Sequence, residues 1–371
     1  MNHFKLFIDI HRLIITMTAV LEVEAYNLES RTSRLFSTYP IRLIESLLRH
    51  SNMKKRYRDH DENDTDNDTT TTSFVTIFVI GFGGGSVNGD SIKLSINVGI
   101  GASMCMRTQG ASKVYKTDHD KIQQQTINCN IHANGFLVMI PDHTVCYEDS
   151  NYKQEQIYNI KACNNDNQGS LVLVDWVSSG RLHGGRKESS SCEFWKMRRL
   201  RSTIQVNDDD TNQCLFLDNL DLYNSYDENN DIILSIGDKV GGASIFGSIV
   251  LVGPRTQVLR DRVSVLMQRQ SFQKMKEAVN STYSNGTDKM KQSFCYHEPL
   301  VSVSTLSSSL VVVRFATASV EDAYILIKEI LHPLGMVIGQ YPYADKVHTT
   351  TEGDDWHCIK ELRNYDSKIM T

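Results

Sequence analysis

Alternation of apolar and polar residues is the dominant pattern of the chain and predicts β-strands. Ile92, Leu94, Ile96 and Val98 alternate with polar side chains, which is the period of a strand with one buried face. An apolar run over 74–80 also indicates a strand. Further strand-like runs, most of them bounded by turn residues, occur at 135–140, 170–177, 213–217, 244–252 and 310–315.

A glycine-rich segment over 81–89 separates the first two of these strands. It ends in Asn88-Gly89, a pair that favours the tight turn of a β-hairpin. The sequence therefore predicts that 74–80 and 92–98 form a glycine hairpin.

Two segments carry the period of an amphipathic helix instead. Residues 255–280 place an apolar stripe on a charged background. Residues 319–331 open with Ser-Val-Glu-Asp, a capping pattern, and end before Pro333. Many strands and two α-helices predict a mainly β fold, and no fixed repeat period establishes a regular solenoid.

Charge, apolar run length and cysteine spacing argue against several classes of protein. The 371 residues carry a formal net charge of -5, which argues against a general nucleic-acid binder. No apolar run reaches the length of a membrane-spanning helix, so we expect no membrane partner. The 8 cysteines are widely spaced and include no C-x-x-C pair, which favours reduced thiols in a cytoplasmic protein over zinc or disulfides.

One segment of the chain lacks the apolar residues that a packed core needs. An insert over 54–72 begins basic, turns acidic and lacks apolar side chains, so it is predicted to be disordered.

Common catalytic and nucleotide-binding motifs are absent. Gly81 and Gly83 begin a G-x-G-x-x-G pattern, but Ser86 occupies its last position and a strand follows where a helix is required. No phosphate-binding GxxxxGK[ST], G-x-S-x-G or H-E-x-x-H occurs. We therefore predict that the chain is not an enzyme, although Asp/His chemistry on a β-scaffold stays an alternative.

His143 and Cys146 form an H-x-x-C pair after Pro141-Asp142. Both residue types bind borderline metals such as nickel. Two ligands are too few for a metal site, so a turn followed by a strand is the competing interpretation.

Asp175 is the most informative single residue. It interrupts an apolar strand in which Leu171, Leu173 and Val177 share its face, while the opposite face is apolar as well. A carboxylate buried there needs a partner, a polar cavity or a passing cation, because an unpaired charge costs several kcal/mol. An ion pair with Arg181, just beyond the next turn, is the structural alternative.

Several motifs, in order, resemble the UreD (also called UreH) family of urease accessory proteins. The likeness runs from about Val23 to Tyr343 and is interrupted mainly by the low-complexity inserts. It implies an N-terminal extension over 1–22, for which disorder is one expectation, a UreD-like β-rich domain over 23–345 and a C-terminal tail over 346–371. The motifs that carry it are SRTSRLFSTYPIRLI, GFGGGSVNGD, GASMCMRTQGASKVYK, FLVMIPDHTVCYEDSNYKQEQIYNI, SLVLVDWVSSGR, QCLFLDNLDL, IVLVGPR and VVRFATASVEDAY followed by GQYPY.

This resemblance implies a β-rich, solenoid-like scaffold with two helices and a role in nickel insertion. The implied partners are UreF, the GTPase UreG through UreF, and the urease apoprotein; no cofactor is tightly bound, and Ni(II) is carried transiently. By motif match, the implied nickel-path residues are Asp90, Asp142 and Asp175, with Arg181, His143, Cys146 and Glu188 as candidates for supporting roles.

The chain departs from the family pattern at two places. Arg186 follows Gly185 where relatives often carry an acid, so Glu188 is the candidate substitute, and His143 stands where proline is frequent. A secreted β-rich binding module is the alternative function, because the N-terminus is mildly apolar and four N-x-[ST] sequons occur, at Asn63, Asn67, Asn280 and Asn285.

Overall fold

The protein folds into two large sheets that face one another. A computed structural model describes residues 16–27, 29–46, 73–81, 84–118, 121–161, 167–181, 193–226, 232–240, 242–266 and 299–346. The predicted insert at 54–72, Glu188, all four sequons and the tail beyond Lys346 lie outside these residues.

The first sheet has seven strands. They are β1 (Thr16–Tyr26), β2 (Glu29–Ser37), β5 (Ser91–Val98), β8 (Gln123–Ile131), β11 (Asn151–Ile160), β13 (Arg199–Asp208) and β14 (Gln213–Tyr223). Their order across the sheet is β14-β13-β11-β8-β5-β1-β2. The inner strands β1, β5, β8, β11 and β13 run parallel, and the edge strands β2 and β14 are antiparallel to their neighbours.

The second sheet has ten strands. They are β3 (Ile41–Glu45), β4 (Val75–Gly81), β6 (Ser103–Thr108), β7 (Ser112–Val114), β9 (Phe136–Met139), β10 (Thr144–Cys146), β12 (Ser170–Ser178), β17 (Ile245–Val252), β18 (Leu300–Ser307) and β19 (Leu310–Thr317). Its main order is β18-β19-β17-β12-β9-β6-β4-β3, and β10 pairs with both β12 and β7. A separate two-stranded sheet joins β15 (Ser225–Tyr226) and β16 (Ile232–Leu234).

The chain passes back and forth between the two large sheets. Strand β4 belongs to the second sheet and β5 to the first, and the alternation continues through β6, β8, β9, β11, β12 and β13. The glycine segment is therefore a crossing between sheets. The predicted glycine hairpin is wrong, because β4 pairs with β3 and β6 while β5 pairs with β1 and β8.

The prediction of a mainly β fold is confirmed, with mixed parallel and antiparallel sheets. A strand occurs at each of the seven predicted runs. Strand β1 begins at Thr16, within the segment predicted as an N-terminal extension, because Met17, Ala19 and Leu21 supply an alternating buried face. The solenoid-like character stays a prediction.

The described residues contain four α-helices where two were predicted. They are α1 (Ile236–Lys239), α2 (257–266), α3 (Val320–Leu331) and α4 (Leu334–Ile338). Ser319 caps α3 as its capping pattern predicts, since its side chain accepts a hydrogen bond from the Asp322 amide. The predicted 255–280 helix begins at 257 after a short 3-10 turn, and its part beyond 266 lies outside the described residues.

Strand β12 is buried on both faces, as predicted. Leu171 and Leu173 pack between the two sheets, whereas Val172, Val174 and Trp176 pack against the side covered by α3. Asp175 lies on the face directed toward the other sheet. No helix in the described part of the chain is long and apolar enough to cross a membrane.

Candidate functional site

Two adjoining cavities lie between the sheets. The first has a volume of about 400 Å³ and the second of about 300 Å³. Their walls share Thr144, Tyr152, Gln154, Asp175 and Trp176. Asp175 therefore lies in the wall where the two adjoining cavities meet.

Hydrogen bonds from the opposite sheet hold the Asp175 carboxylate. Gln154 Nε2 donates to Oδ1 at 2.8 Å, and the Ser202 hydroxyl donates to Oδ2 at 3.0 Å. Gln154 lies on β11 and Ser202 on β13, so both donors belong to the first sheet. Neutral groups thus stabilise the charge from across the cavity.

The donors are supported by a network of glutamine and tyrosine side chains. Four of the five inward positions of β11 are Tyr152, Gln154, Gln156 and Tyr158, and all four are buried. The Tyr152 hydroxyl lies 3.2 Å from Gln154 Oε1, and the Tyr158 hydroxyl donates to Gln156 Oε1 at 2.7 Å. Satisfied buried polar groups hold a fixed geometry, because each lost hydrogen bond leaves a costly unpaired atom.

Burial raises the pKa of Asp175 above its ordinary value. Hydrogen bonds from Gln154, Ser202 and Gln156 work against this effect, and the negative charge of Asp218 adds to it. A cation close to this carboxylate would lower the pKa again, because a nearby positive charge favours ionisation.

The alternative ion pair between Asp175 and Arg181 is wrong. Arg181 instead binds the buried Glu193, with Nε donating to Oε1 at 2.8 Å and Nη2 also contacting that oxygen. Glu193 also accepts the backbone amides of Glu148 and Arg181. Arg181 lines neither of the two cavities.

Asp90 lies at the end of the glycine crossing and lines the first cavity. Its Oδ2 accepts the Val87 amide at 2.8 Å, while its own amide donates to the Val87 carbonyl at 2.9 Å. Gly89 has a φ of +84°, a conformation that glycine adopts without strain, and this lets the turn close. Oδ1 has no hydrogen-bond partner among the described residues.

Asp142 borders the first cavity, but its oxygens are engaged elsewhere. The Tyr324 hydroxyl of α3 donates to Oδ1 at 2.6 Å, and Thr108 Oγ1 lies 3.3 Å from Oδ2. Lys346 Nζ lies 3.7 Å from Oδ2. This buried carboxylate therefore ties helix α3 and the end of the described chain to the second sheet.

His143 and Cys146 do not share a site. The His143 ring packs against Trp176 and Tyr324, whereas Cys146 belongs to a separate apolar cluster with Val114 and Trp195. Burial lowers the pKa of His143 to about 4 and raises the pKa of Cys146 to about 12. Among the described residues, no group of three His, Cys, Asp or Glu side chains could hold a metal ion.

The far end of the second cavity carries a charge pair that sequence reasoning missed. Arg314 Nη2 lies 3.1 Å from Asp218 Oδ1, and both residues line this cavity. Asp218 belongs to β14 and Arg314 to β19, so the pair joins the two sheets. The polar inward residues of β11 were missed too. Gln154 and Gln156 alternate with outward residues between Tyr152 and Tyr158, and this alternation was a usable signal.

The first cavity offers a cation several oxygen ligands. Asp90 and Asp175 line it together with the amide groups of Gln125 and Gln154 and the hydroxyl of Thr144. Oxygen ligands of this kind suit hydrated divalent ions.

Comparison with known proteins agrees with the sequence motifs. The sequence model of the UreD urease accessory protein matches residues 18–347. Urease accessory protein D of Arabidopsis thaliana is 30% identical over 246 residues, 66% of this chain and 77% of the plant protein. Urease accessory protein UreD of Sorangium cellulosum is 29% identical over 66% of this chain and 64% of the bacterial protein. The chain therefore belongs to the UreD urease accessory protein family.

Proposed function

We propose that this protein is a non-catalytic scaffold that helps insert nickel into apo-urease, acting with UreF and, through UreF, with UreG. Membership of the UreD family supports a role in urease maturation. The observation that carries the nickel role is the placement of Asp175 at the junction of two cavities between the sheets. The cytoplasm is the proposed location.

The proposed mechanism is passage of the ion along separated oxygen ligands. Nickel is the cargo and is bound transiently, so no tightly held cofactor is required. Asp90 and Asp175 are the primary candidates because both line the first cavity. An ion that passes from one carboxylate to the next can keep part of its water shell. Asp142 is a secondary candidate, because Tyr324 and Thr108 already occupy its oxygens.

The test is reconstitution from purified components. Apo-urease, UreF, UreG, GTP and Ni(II) are incubated with and without this chain, and urease activity and bound nickel are measured. We expect activation to require the chain, and we expect the chain to co-elute with UreF in size-exclusion chromatography. Equal activation without the chain would contradict the proposal.

The alternative function, a secreted binding module, predicts that the protein is exported from the cell and glycosylated. Expression in a eukaryotic cell with a functional secretory pathway would then give glycosylated protein in the medium. Retention of unmodified protein in the cytoplasm would support the nickel-insertion proposal.

A further inference from the structure

The Asp218–Arg314 ion pair joins two strands and belongs neither to a turn nor to an apolar core cluster. Both residues line the second cavity at its outer end, and both are partly exposed. Asp218 lies directly opposite Ile204 in the register of β13 and β14, and Ile204 is packed between the sheets. Directly opposed residues share a face, so Asp218 points into the space between the sheets.

Arg314 reaches the same space from the second sheet. Asp175 pairs in register with Ser248, and Ser248 pairs with Arg314. These three residues therefore form one polar row on the inner face, with Asp175 and Arg314 two strands, or about 10 Å, apart. The guanidinium lies at the outer end of a row that leads to the carboxylate where the cavities meet.

We propose that the Asp218–Arg314 ion pair closes the second cavity and opens by exchanging Arg314 for an incoming divalent cation. This inference rests on the proposed function and extends it to the control of ion passage. Closed, the pair joins the two sheets and presents no net charge. Open, Asp218 offers the cation its first carboxylate, and Ser248 and Ser202 line the way to Asp175.

Charge variants separate this proposal from a purely structural ion pair. Asp218→Asn leaves the Arg314 charge unpaired at the mouth, which repels a divalent ion. Coulomb's law for a divalent ion about 7 Å from one unpaired charge in a water-like medium gives roughly tenfold slower entry. Arg314→Gln leaves the carboxylate free, and we expect entry to be faster than in the wild type. The double variant has a neutral mouth and is expected to recover most of the rate lost in Asp218→Asn.

Ion entry can be followed in the isolated full-length protein with Ni(II) as the probe. Trp176 follows Asp175 in the wall shared by both cavities, and its indole packs on the α3 side of β12. Open-shell Ni(II) quenches indole fluorescence at short range, so quenching of Trp176 reports ions that reach the Asp175 end of the cavity. The time course of fluorescence quenching is recorded for each variant in a stopped-flow instrument. The kinetic phase that disappears in Trp176→Phe is assigned to ions entering the cavity. The matched control is Asp221→Asn, because Asp221 is an exposed acid of the same strand that pairs with Arg199.

The outcomes distinguish this proposal from the function on which it rests. Slow entry in Asp218→Asn with recovery in the double variant supports the closure. Wild-type rates in all three variants would overturn the closure alone and leave the nickel role standing. No Trp176-dependent quenching in the wild type would overturn both. Melting temperatures are measured in parallel, and equal losses in both single variants with unchanged rates would identify a structural pair.

Discussion

Gln154 donates a 2.8 Å hydrogen bond to Asp175 across the space between the two sheets. One sheet therefore supplies the group that stabilises charge on the other. This relationship removes the need for Arg181 as a partner and leaves the carboxylate at the cavity wall. The charge of Asp175, the hydrogen bond from Gln154 and the role of Asp142 can each be tested by substitution.

Asp175→Asn is expected to preserve the fold and impair urease activation by at least about tenfold, since one charge-assisted contact with an ion corresponds to roughly 1.5–3 kcal/mol. Asparagine keeps the volume and removes the charge. The reconstitution assay and a thermal melt measure both properties on one sample. Asp221→Asn, on the outer side of β14, is the matched control and should activate normally. Unfolding of Asp175→Asn would contradict this interpretation.

The same variant should reveal the raised pKa of Asp175 through stability. Burial raises this pKa in the folded state, so the folded protein holds the proton to a higher pH than the unfolded chain does. The free energy of unfolding of the wild type should therefore fall, relative to that of Asp175→Asn, as the pH rises from the ordinary carboxyl pKa through the pKa of Asp175 in the folded protein. Above that pKa the difference between the two proteins should stay constant. Urea unfolding of both proteins from pH 4 upward measures it; a wild type that gained stability over this range would contradict the direction.

Gln154→Leu should raise the pKa of Asp175 further, because it removes a donor to the charged form. Without this hydrogen bond the carboxyl group needs a higher pH to ionise. The pH profile of urease activation should therefore move to higher pH. Gln205→Leu is the control, because Gln205 bonds Asn207 on its own strand and does not contact Asp175. Identical profiles for the two variants would show that Gln154 does not support the carboxylate.

Tyr324→Phe should destabilise the protein without impairing its function. The lost hydroxyl leaves buried Asp142 with one donor fewer, at a cost of about 1.5–3 kcal/mol. We expect the melting temperature to fall by several degrees and activation per folded molecule to stay unchanged. Tyr26→Phe is the control, since Tyr26 is 62% exposed. A loss of activation without a loss of stability would instead place Asp142 in the nickel path.

His143 should make the fold sensitive to acid. Its pKa is lowered from an ordinary 6.5 to about 4 by burial, so the unfolded chain binds a proton that the folded protein does not. Stability from this group is complete above pH 6.5 and is lost as pH falls toward 4, on the order of 3 kcal/mol in total. His143→Phe should remove that dependence while keeping the aromatic packing, and urea unfolding at pH 7 and pH 5 compares the two proteins. Equal pH dependence in both would show that His143 does not titrate with folding.

Local patterns in the sequence were sufficient for the strands and for the start of helix α3. Alternation at 92–98 and the apolar run at 170–177 predicted strands correctly. The side chains of a buried strand face are only two residues apart in the sequence, so a local pattern is enough to identify them. The same pattern identified Asp175 as a carboxylate inside an apolar strand. The ordered motifs identified the family, which the comparison confirmed.

Sheet assignment was decided only by the tertiary structure. Asn88-Gly89 specifies a tight turn but not which strands flank it in a ladder, so a crossing between sheets was predicted as a hairpin. The partners of Asp175 were hidden for the same reason, since Gln154 and Ser202 are 21 and 27 residues away along the chain. Hydrogen bonds and ion pairs across a cavity depend on how two sheets face one another. That arrangement results from burial summed over both sheets, so the sequence determined which residues are buried, and only the fold decided which of them meet.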